Sequence, residues 1–332
     1  MRKIDAFAHI LPPSYAQRLE SMTAGPGVSD RILGFRSWIH EDPALVDLDA
    51  RWRAIDPFGD YVQVLTLAVP PLDQLGSADV ASGLARAAND ELAGLVSSYP
   101  DRFAGFAAAL PMNDVDAACA ELTRAMGELG ALGAQLHTNV GGVPLDEPRF
   151  EPIFETVTRL GGALWIHPTR SEVWPDYPAE DRSRYGIWWS LGWPYETSVC
   201  MTRLVYSGCF DRHPDLRVIT HHAGAMVPHF AARLASPLED PDRAAIMAGL
   251  RDEPVNYFRR FFADTALFGN AHAVRCAVEF FGPGHVLFGT DMPLGGPTVV
   301  RDAIADIEAL GLPDADTAAI FAGNARTVLK LP

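Results

Sequence analysis

Eight short apolar or β-branched runs recur along the chain with amphipathic stretches between them, and six of the eight end at, or are followed by, histidine or aspartate. This alternation is the pattern of βα units rather than of a β-sandwich. The runs are Lys3–His9, Tyr61–Leu67, Phe103–Leu110, Gly133–His137, Gly162–His167, Arg217–His222, Phe261–Asp264 and His285–Thr290. Helical apolar spacing fills Asp79–Ser97 and Asp114–Leu129, and helices are also predicted over Arg149–Leu160, Tyr195–Phe210, Ala271–Phe281 and Val299–Leu310. Eight strands with intervening helices predict an α/β fold, a (βα)8 TIM-type barrel. Such barrels take about 250 residues, whereas this chain has 332. Loop insertions are therefore expected, at residues 12–50, rich in turn signals, and at the aromatic, proline-containing stretch 170–194. No internal repeat, low-complexity tract or linker divides the sequence, so residues 1–332 read as one barrel domain.

Composition narrows the chemistry. Of 27 basic residues only Lys3 and Lys330 are lysine, both within three residues of an end. A P-loop, a Schiff-base enzyme and a two-metal hydrolase with a modified bridging lysine each need that side chain deep in the fold, so all three are excluded. The 27 basic against 42 acidic residues leave a net charge of −15. That field repels polyanions, so nucleic acid and anionic membrane surfaces are not expected partners and a small molecule is. Cys119, Cys200, Cys209 and Cys276 show no CxxC spacing and read as free thiols of a reducing compartment. Asp5 and His9 interrupt any apolar leader core, and no apolar run reaches the length of a membrane span, which together predict a cytoplasmic protein.

In a (βα)8 barrel the active site lies at the C-terminal ends of the strands. His9, His137, His167, His221–His222, Asp264 and Asp291 all fall there. A single strand-end histidine is most often structural, but several on one rim point to a metal site. Two or three imidazoles and one carboxylate suit one divalent ion with a position left open for water or substrate. His221, one step before His222 on a strand, is expected to face the opposite way and to pack against helices.

The segments IDAFAHILP, HTN after the fourth run, IHP after the fifth, THHAGAMVP after the sixth and GTDMP after the eighth resemble the amidohydrolase-2 branch of the amidohydrolase superfamily. That branch includes the aminocarboxymuconate-semialdehyde and resorcylate-type decarboxylases, and residues 192–228 are particularly similar to these members. The resemblance implies metal ligation by His9, His167 and Asp291, and a general acid or base at His222 in the H-x-G-x-x-x-P segment. It implies carboxylate binding by Arg51, with Arg53 a competitor nearby, and a contribution of Arg233 across a homodimer interface. Guanidinium suits bidentate carboxylate binding. Phe7 stands where the family's opening HxH motif has its first histidine. Glu196 begins a predicted helix, where a carboxylate caps or complements the dipole, with a substrate role as the alternative. His137 reads as a pocket wall, and Trp188, Trp189, Trp193 and Tyr195 as either a cover for an aromatic substrate or the packing core of their own insertion.

These residues imply a metal-dependent non-oxidative decarboxylase of a small aromatic or unsaturated carboxylic acid. The ion would be zinc or manganese, with magnesium admitted by the same ligands. Two alternatives remain open at this point: a metal-dependent hydrolase or hydratase acting on a lactone, ester, amide or double bond, and a non-catalytic binding barrel that lost its metal with Phe7. With no interior lysine to bridge two ions, the resemblance narrows to the mononuclear branch.

Overall fold

The computed structural model describes residues 1–22, 42–236 and 241–332. Its strands are Lys3–Ile10 (β1), Tyr61–Leu67 (β2), Phe103–Phe106 (β3), Ala108–Ala109 (β4), Gly133–His137 (β5), Asn139–Val140 (β6), Val143–Pro144 (β7), Ala163–His167 (β8), Arg217–Thr220 (β9) and Phe262–Ala263 (β10). Apart from the small antiparallel β6–β7 hairpin, all pairings are parallel, in the orders β1–β2–β3 and β10–β9–β8–β5–β4. β3 and β4 are one strand path interrupted at Ala107, whose N–H donates to the Leu65 carbonyl at 2.9 Å. The remaining gap is spanned by residues 286–288. Val286 bridges Ala263, Leu287 N–H donates to the Ala263 carbonyl, and Ala6 N–H donates to the Phe288 carbonyl. The ring thus closes as a parallel barrel of eight strand paths, each but the last joined to the next through helical chain.

The eighth path, expected as the strand His285–Thr290, forms no regular ladder because its amides are drawn to different partners. Phe288 N–H donates to the Ile320 carbonyl, and Thr290 N–H to the Asp5 carboxylate at 3.0 Å. Helix starts follow their caps: Ser77 before Ala78–Ser98, Asp114 before Val115–Glu128 and Asn270 before Ala271–Phe281 each accept a backbone N–H of the first turn. The helix expected over Tyr195–Phe210 begins earlier, at Gly192, because Pro194 is tolerated in a first turn. It stops at Tyr206, and chain direction changes at Gly208 (φ 72°) before Cys209–Arg212. Of the two expected insertions, 170–194 is irregular chain to residue 186, followed by the short Ile187–Ser190 helix and the first residues of the Gly192–Tyr206 helix. In the other, Pro13–Met22 is helical and residues 23–41 lie outside the described residues. No helix among the described residues is long and apolar enough to cross a membrane.

Strand alternation sorts side chains into two layers. Ala6, Val64, Ala107, Trp165, Ile219 and Leu287 fill the barrel interior. Their neighbours Leu65, Leu136, Leu164 and Val218 join the larger core beneath the helices. The Trp165 indole N–H reaches from β8 to the Ala6 carbonyl at 2.8 Å, tying β8 to β1 across the interior. β1 carries a bulge: Asp5 pairs with Gln63 but Ala8 with Leu65, three steps against two. The extra residue resets the alternation, so that Phe7 and His9, two apart, both face inward at the C-terminal end.

Gly133 opens β5 where its backbone runs close against β8. A Cβ there would lie 1.8 Å from the Ala163 carbonyl oxygen of β8, which neither backbone can relieve without breaking the ladder. Gly83, in the exposed face of the Ala78–Ser98 helix, has nothing within 4 Å of the same position. Gly133→Ala is therefore expected to cost about 2–3 kcal/mol, and Gly83→Ala to gain about 0.5–1 kcal/mol. Urea unfolding followed by circular dichroism checks both; equal midpoints for the two variants would contradict the packing described.

Candidate active site

Five imidazoles and one carboxylate meet at the C-terminal end of the barrel. His9, His167 and His221 offer ring nitrogens within 4.8 Å of one another, as do His221, His222 and a carboxylate oxygen of Asp291. The His137 ring is 5.4 Å from that of His167. All of these side chains except His137 are fully or almost fully buried.

Hydrogen bonds fix which nitrogen of each ring faces the centre. The Thr66 hydroxyl donates to the Ala8 carbonyl at 3.3 Å, so it accepts from His9 Nδ1 at 2.9 Å. In the neutral ring that burial favours, His9 Nε2 is then a bare acceptor. It has no hydrogen-bond partner, yet it lies 3.0 Å from Asp291 Oδ1. His167 Nδ1 donates to the Pro168 carbonyl at 2.6 Å, which leaves its Nε2 lone pair free. His221 Nδ1 donates to Asp264 Oδ2, and its Nε2 faces Asp291 Oδ1 at 3.2 Å. Asp291 Oδ2 is 3.7 Å from His222 Nε2, so the two oxygens of one carboxylate serve different groups. Two lone pairs 3.0 Å apart in a dry interior repel unless a cation lies between them. The bare His9 Nε2 against Asp291 thus fits a bound divalent ion.

Burial works against the charged form of every group here. It keeps His9 and His222 below the ordinary imidazole value, His167 well below it, and lowers His137 to about 3. For two groups a neighbour outweighs burial. Opposing it, the Asp264 and Asp291 carboxylates push His221 up to about 10, and His221, His222 and His9 hold Asp291 well below the carboxylate range. The backbone is strained at the same place. His222, Ala223 and Ala225 have φ of 54°, 56° and 54°, and Asp291 has 68°. Left-handed non-glycine residues persist only where their surroundings over-determine them. Here Ala223 N–H donates to Asp264 Oδ1 at 2.9 Å, and Asp291 N–H to the Phe7 carbonyl at 3.1 Å.

The structure brings His9, His167, His222 and Asp291 together, and it corrects the expectation for His221. That side chain lies in the centre of the site, stacked on Phe7 with ring centroids 3.9 Å apart. The alternation that puts Ile219 in the interior carries on to the extended residue His221 (φ −79°, ψ 158°). His222 reaches the same site only because its left-handed φ breaks the strand. Counting from Ile219 would have found this. Thr66 and Asp264, the partners that orient His9 and His221, were not singled out for that role in the sequence, since neither is recognisable before the register is known.

Arg51 lies apart from this cluster. It is fully buried on the outward face of β1 and β2, where Nε donates to Gln63 Oε1 (2.7 Å) and Nη1 to the carbonyls of His9 (2.8 Å) and Ala44 (3.1 Å). The guanidinium holds the β1 backbone that carries His9, and the wall of the barrel separates it from the interior. Arg233 lies on the exposed face of the Val227–Leu234 helix and does not join the cluster of its own chain. Glu196 is inside its helix, not at a cap. It pairs with Arg170 at 3.2 Å and accepts from Asn139 Nδ2 at 3.4 Å, at the rim beside the β6–β7 hairpin. His137 borders a small cavity whose walls include Leu67, Leu110, Gln135 and Val140. Of the aromatic group, Trp193 packs on His167 (5.5 Å) and Trp188 (5.6 Å) with a buried indole N–H that has no partner, whereas Trp189 and Tyr195 are exposed.

A parallel barrel with a histidine–aspartate cluster at its C-terminal rim defines a metal-dependent enzyme class, and comparison with known proteins specifies it. The Amidohydrolase family model matches residues 4–331, and the chain belongs to that family. A gamma-resorcylate decarboxylase of Polaromonas sp. is 33% identical over 89% of this chain and 91% of its own length. The 2-amino-3-carboxymuconate-6-semialdehyde decarboxylase of Dictyostelium discoideum is 30% identical over 88% and 81%. Among solved structures, the 5-carboxyvanillate decarboxylase of Sphingomonas paucimobilis superimposes with a TM-score of 0.86 at 26% identity, covering 100% of this chain and 99% of that one. A dihydroxybenzoic acid decarboxylase of Polaromonas, solved with bound manganese and the inhibitor 2-nitroresorcinol, does so with a TM-score of 0.76 at 26% identity, covering 99% and 97%.

The position of Arg51 makes a prediction that separates support from substrate binding. Arg51→Met strands the carbonyls of His9 and Ala44 and the Gln63 side chain without donors, and is expected to cost about 3 kcal/mol of stability. Urea unfolding measures this. An unchanged midpoint with a KM raised tenfold for a carboxylate substrate would instead return Arg51 to the pocket.

Proposed function

We propose that this chain is a metal-dependent, non-oxidative decarboxylase of a small aromatic or unsaturated carboxylic acid. The observation that carries the reading is the buried His9 Nε2, without a hydrogen-bond partner and set 3.0 Å from Asp291 Oδ1, an arrangement that suits a cation. His9, His167 and Asp291 would hold one divalent ion, manganese or zinc by the borderline character of the ligands, with magnesium a harder alternative. The manganese in the Polaromonas relative supports the first of these. Bound there, the ion would polarise the carboxylate and a neighbouring oxygen of the substrate.

The chain's own groups supply the rest. Decarboxylation exchanges one C–C bond for a C–H bond: the electron pair left on the carbon as carbon dioxide departs must accept a proton. His222, whose Nε2 is 3.7 Å from Asp291 Oδ2, would manage that proton. His137 and Trp193, both packed near His167 and each with a buried ring N–H or nitrogen without a partner, would orient the substrate ring. Arg233 from a second copy would add a guanidinium at the rim in a homodimer.

Purified protein with added manganese or zinc is expected to release carbon dioxide from at least one member of a panel of hydroxybenzoates and muconate derivatives. Chelation should abolish the release and restored metal recover it. His222→Gln is expected to lower kcat by about 10²–10⁴-fold with metal content unchanged. Turnover of lactones without carbon dioxide from any acid would replace the proposal with hydrolysis.

A further inference from the structure

The site contains one more correctly aimed imidazole than the proposed ligand set uses. His221 is fully buried, and both its nitrogens are committed. Nδ1 donates to Asp264 Oδ2, and a carboxylate can only accept. Asp264 is itself fixed, because its other oxygen takes the N–H groups of Ala223 (2.9 Å) and Ala266 (3.2 Å). A carboxylate behind a histidine, locking the tautomer so that Nε2 presents its lone pair, is the arrangement that supports a metal-ligating imidazole. The Phe7 ring lies parallel to the His221 ring, 3.9 Å away at an interplanar angle of 11°, and so fixes its plane.

The distances agree. Two ligands each about 2.1 Å from one ion and roughly 90–110° apart lie about 3.0–3.4 Å from each other. Asp291 Oδ1 is 3.0 Å from His9 Nε2 and 3.2 Å from His221 Nε2. The nitrogens of His9, His167 and His221 also fall within 4.8 Å of one another. His222 differs in its distance to Asp291 and in its hydrogen bonding. Its Nε2 is 3.7 Å from the other oxygen of Asp291, and its Nδ1 is buried without a partner, so nothing fixes its tautomer.

We propose that His221, oriented by Asp264, is a fourth ligand of the ion held by His9, His167 and Asp291. β9 then supplies the imidazole that the first strand, with Phe7 pressed against the same ring, does not. The inference rests on the reading of the site as a metal centre. The competing state is a permanent imidazolium between two carboxylates, in which His221 carries protons on both nitrogens and ligates nothing.

The test is a titration of metal-depleted full-length protein with Mn²⁺ and with Zn²⁺ by calorimetry, for the wild type, His221→Gln and His222→Gln. Circular dichroism verifies that each is folded. We expect wild-type stoichiometry of one, an affinity about 100-fold weaker for His221→Gln, and a change under threefold for His222→Gln. A second readout needs no folded variant: ¹⁵N NMR of histidine-labelled, Zn²⁺-loaded wild type should show His221 protonated at Nδ1 alone. Binding by His221→Gln within threefold of wild type, or a His221 ring protonated at both nitrogens in the loaded protein, overturns the inference and leaves the decarboxylase proposal standing. A wild type that takes up no divalent ion overturns both.

Discussion

One carboxylate organises this end of the molecule. Asp291 is buried where three imidazoles reach it, and a lone anion in such a place would be costly. The same residue closes the barrel. Its N–H donates to the Phe7 carbonyl, and His9 N–H donates to the Met292 carbonyl, so the eighth strand path is joined to the first through the residues that bear the site's charge. The same segments close the ring and carry the cluster. The left-handed backbone at Asp291 and at His222–Ala223 follows from this, because extended chain at those positions would aim the side chains elsewhere.

A second polar layer lies outside the barrel wall and serves the first. Asp5, buried and pushed up to about 6 by that burial, accepts from the Tyr61 hydroxyl, from Phe7 N–H and from both Thr290 groups. Arg51 takes the carbonyl of His9 from the same side. The bulge in β1 lies between these anchors. It requires an unusual path for Phe7 through His9, and side-chain partners on the outer face supply hydrogen bonds that the disturbed ladder does not. The polar outer residues therefore set where His9 points without touching what it binds.

Strand and helix alternation, and so the barrel, were legible because each run is long enough to show its period. The strand-end positions of His9, His167, His222 and Asp291 followed directly from that. Parity was harder to read. The inward face of β9 is set by Ile219, and an alternation counted back from His222 inverts it, because His222 itself lies in the left-handed region. The β1 bulge hides the same information on the opposite wall. The role of Arg51 was illegible for another reason. A guanidinium that binds two backbone carbonyls and one that binds a substrate carboxylate look alike in sequence, and only the side of the wall distinguishes them.

With Arg51 withdrawn behind the wall, the charge balance of the pocket changes. The chain carries 15 more acidic than basic residues and has no lysine away from its ends. Arg170, near the rim, is already paired with Glu196 at 3.2 Å. An anionic substrate entering between His137 and Trp193 would then meet imidazoles kept neutral by burial and an indole dipole. Neutral donors orient an anion, but they do not offset the loss of its hydration. A positive charge at the centre of the cluster offsets it, and a cation held by Asp291 and the His9 nitrogen would supply that charge beyond what His221, pushed up to about 10, brings.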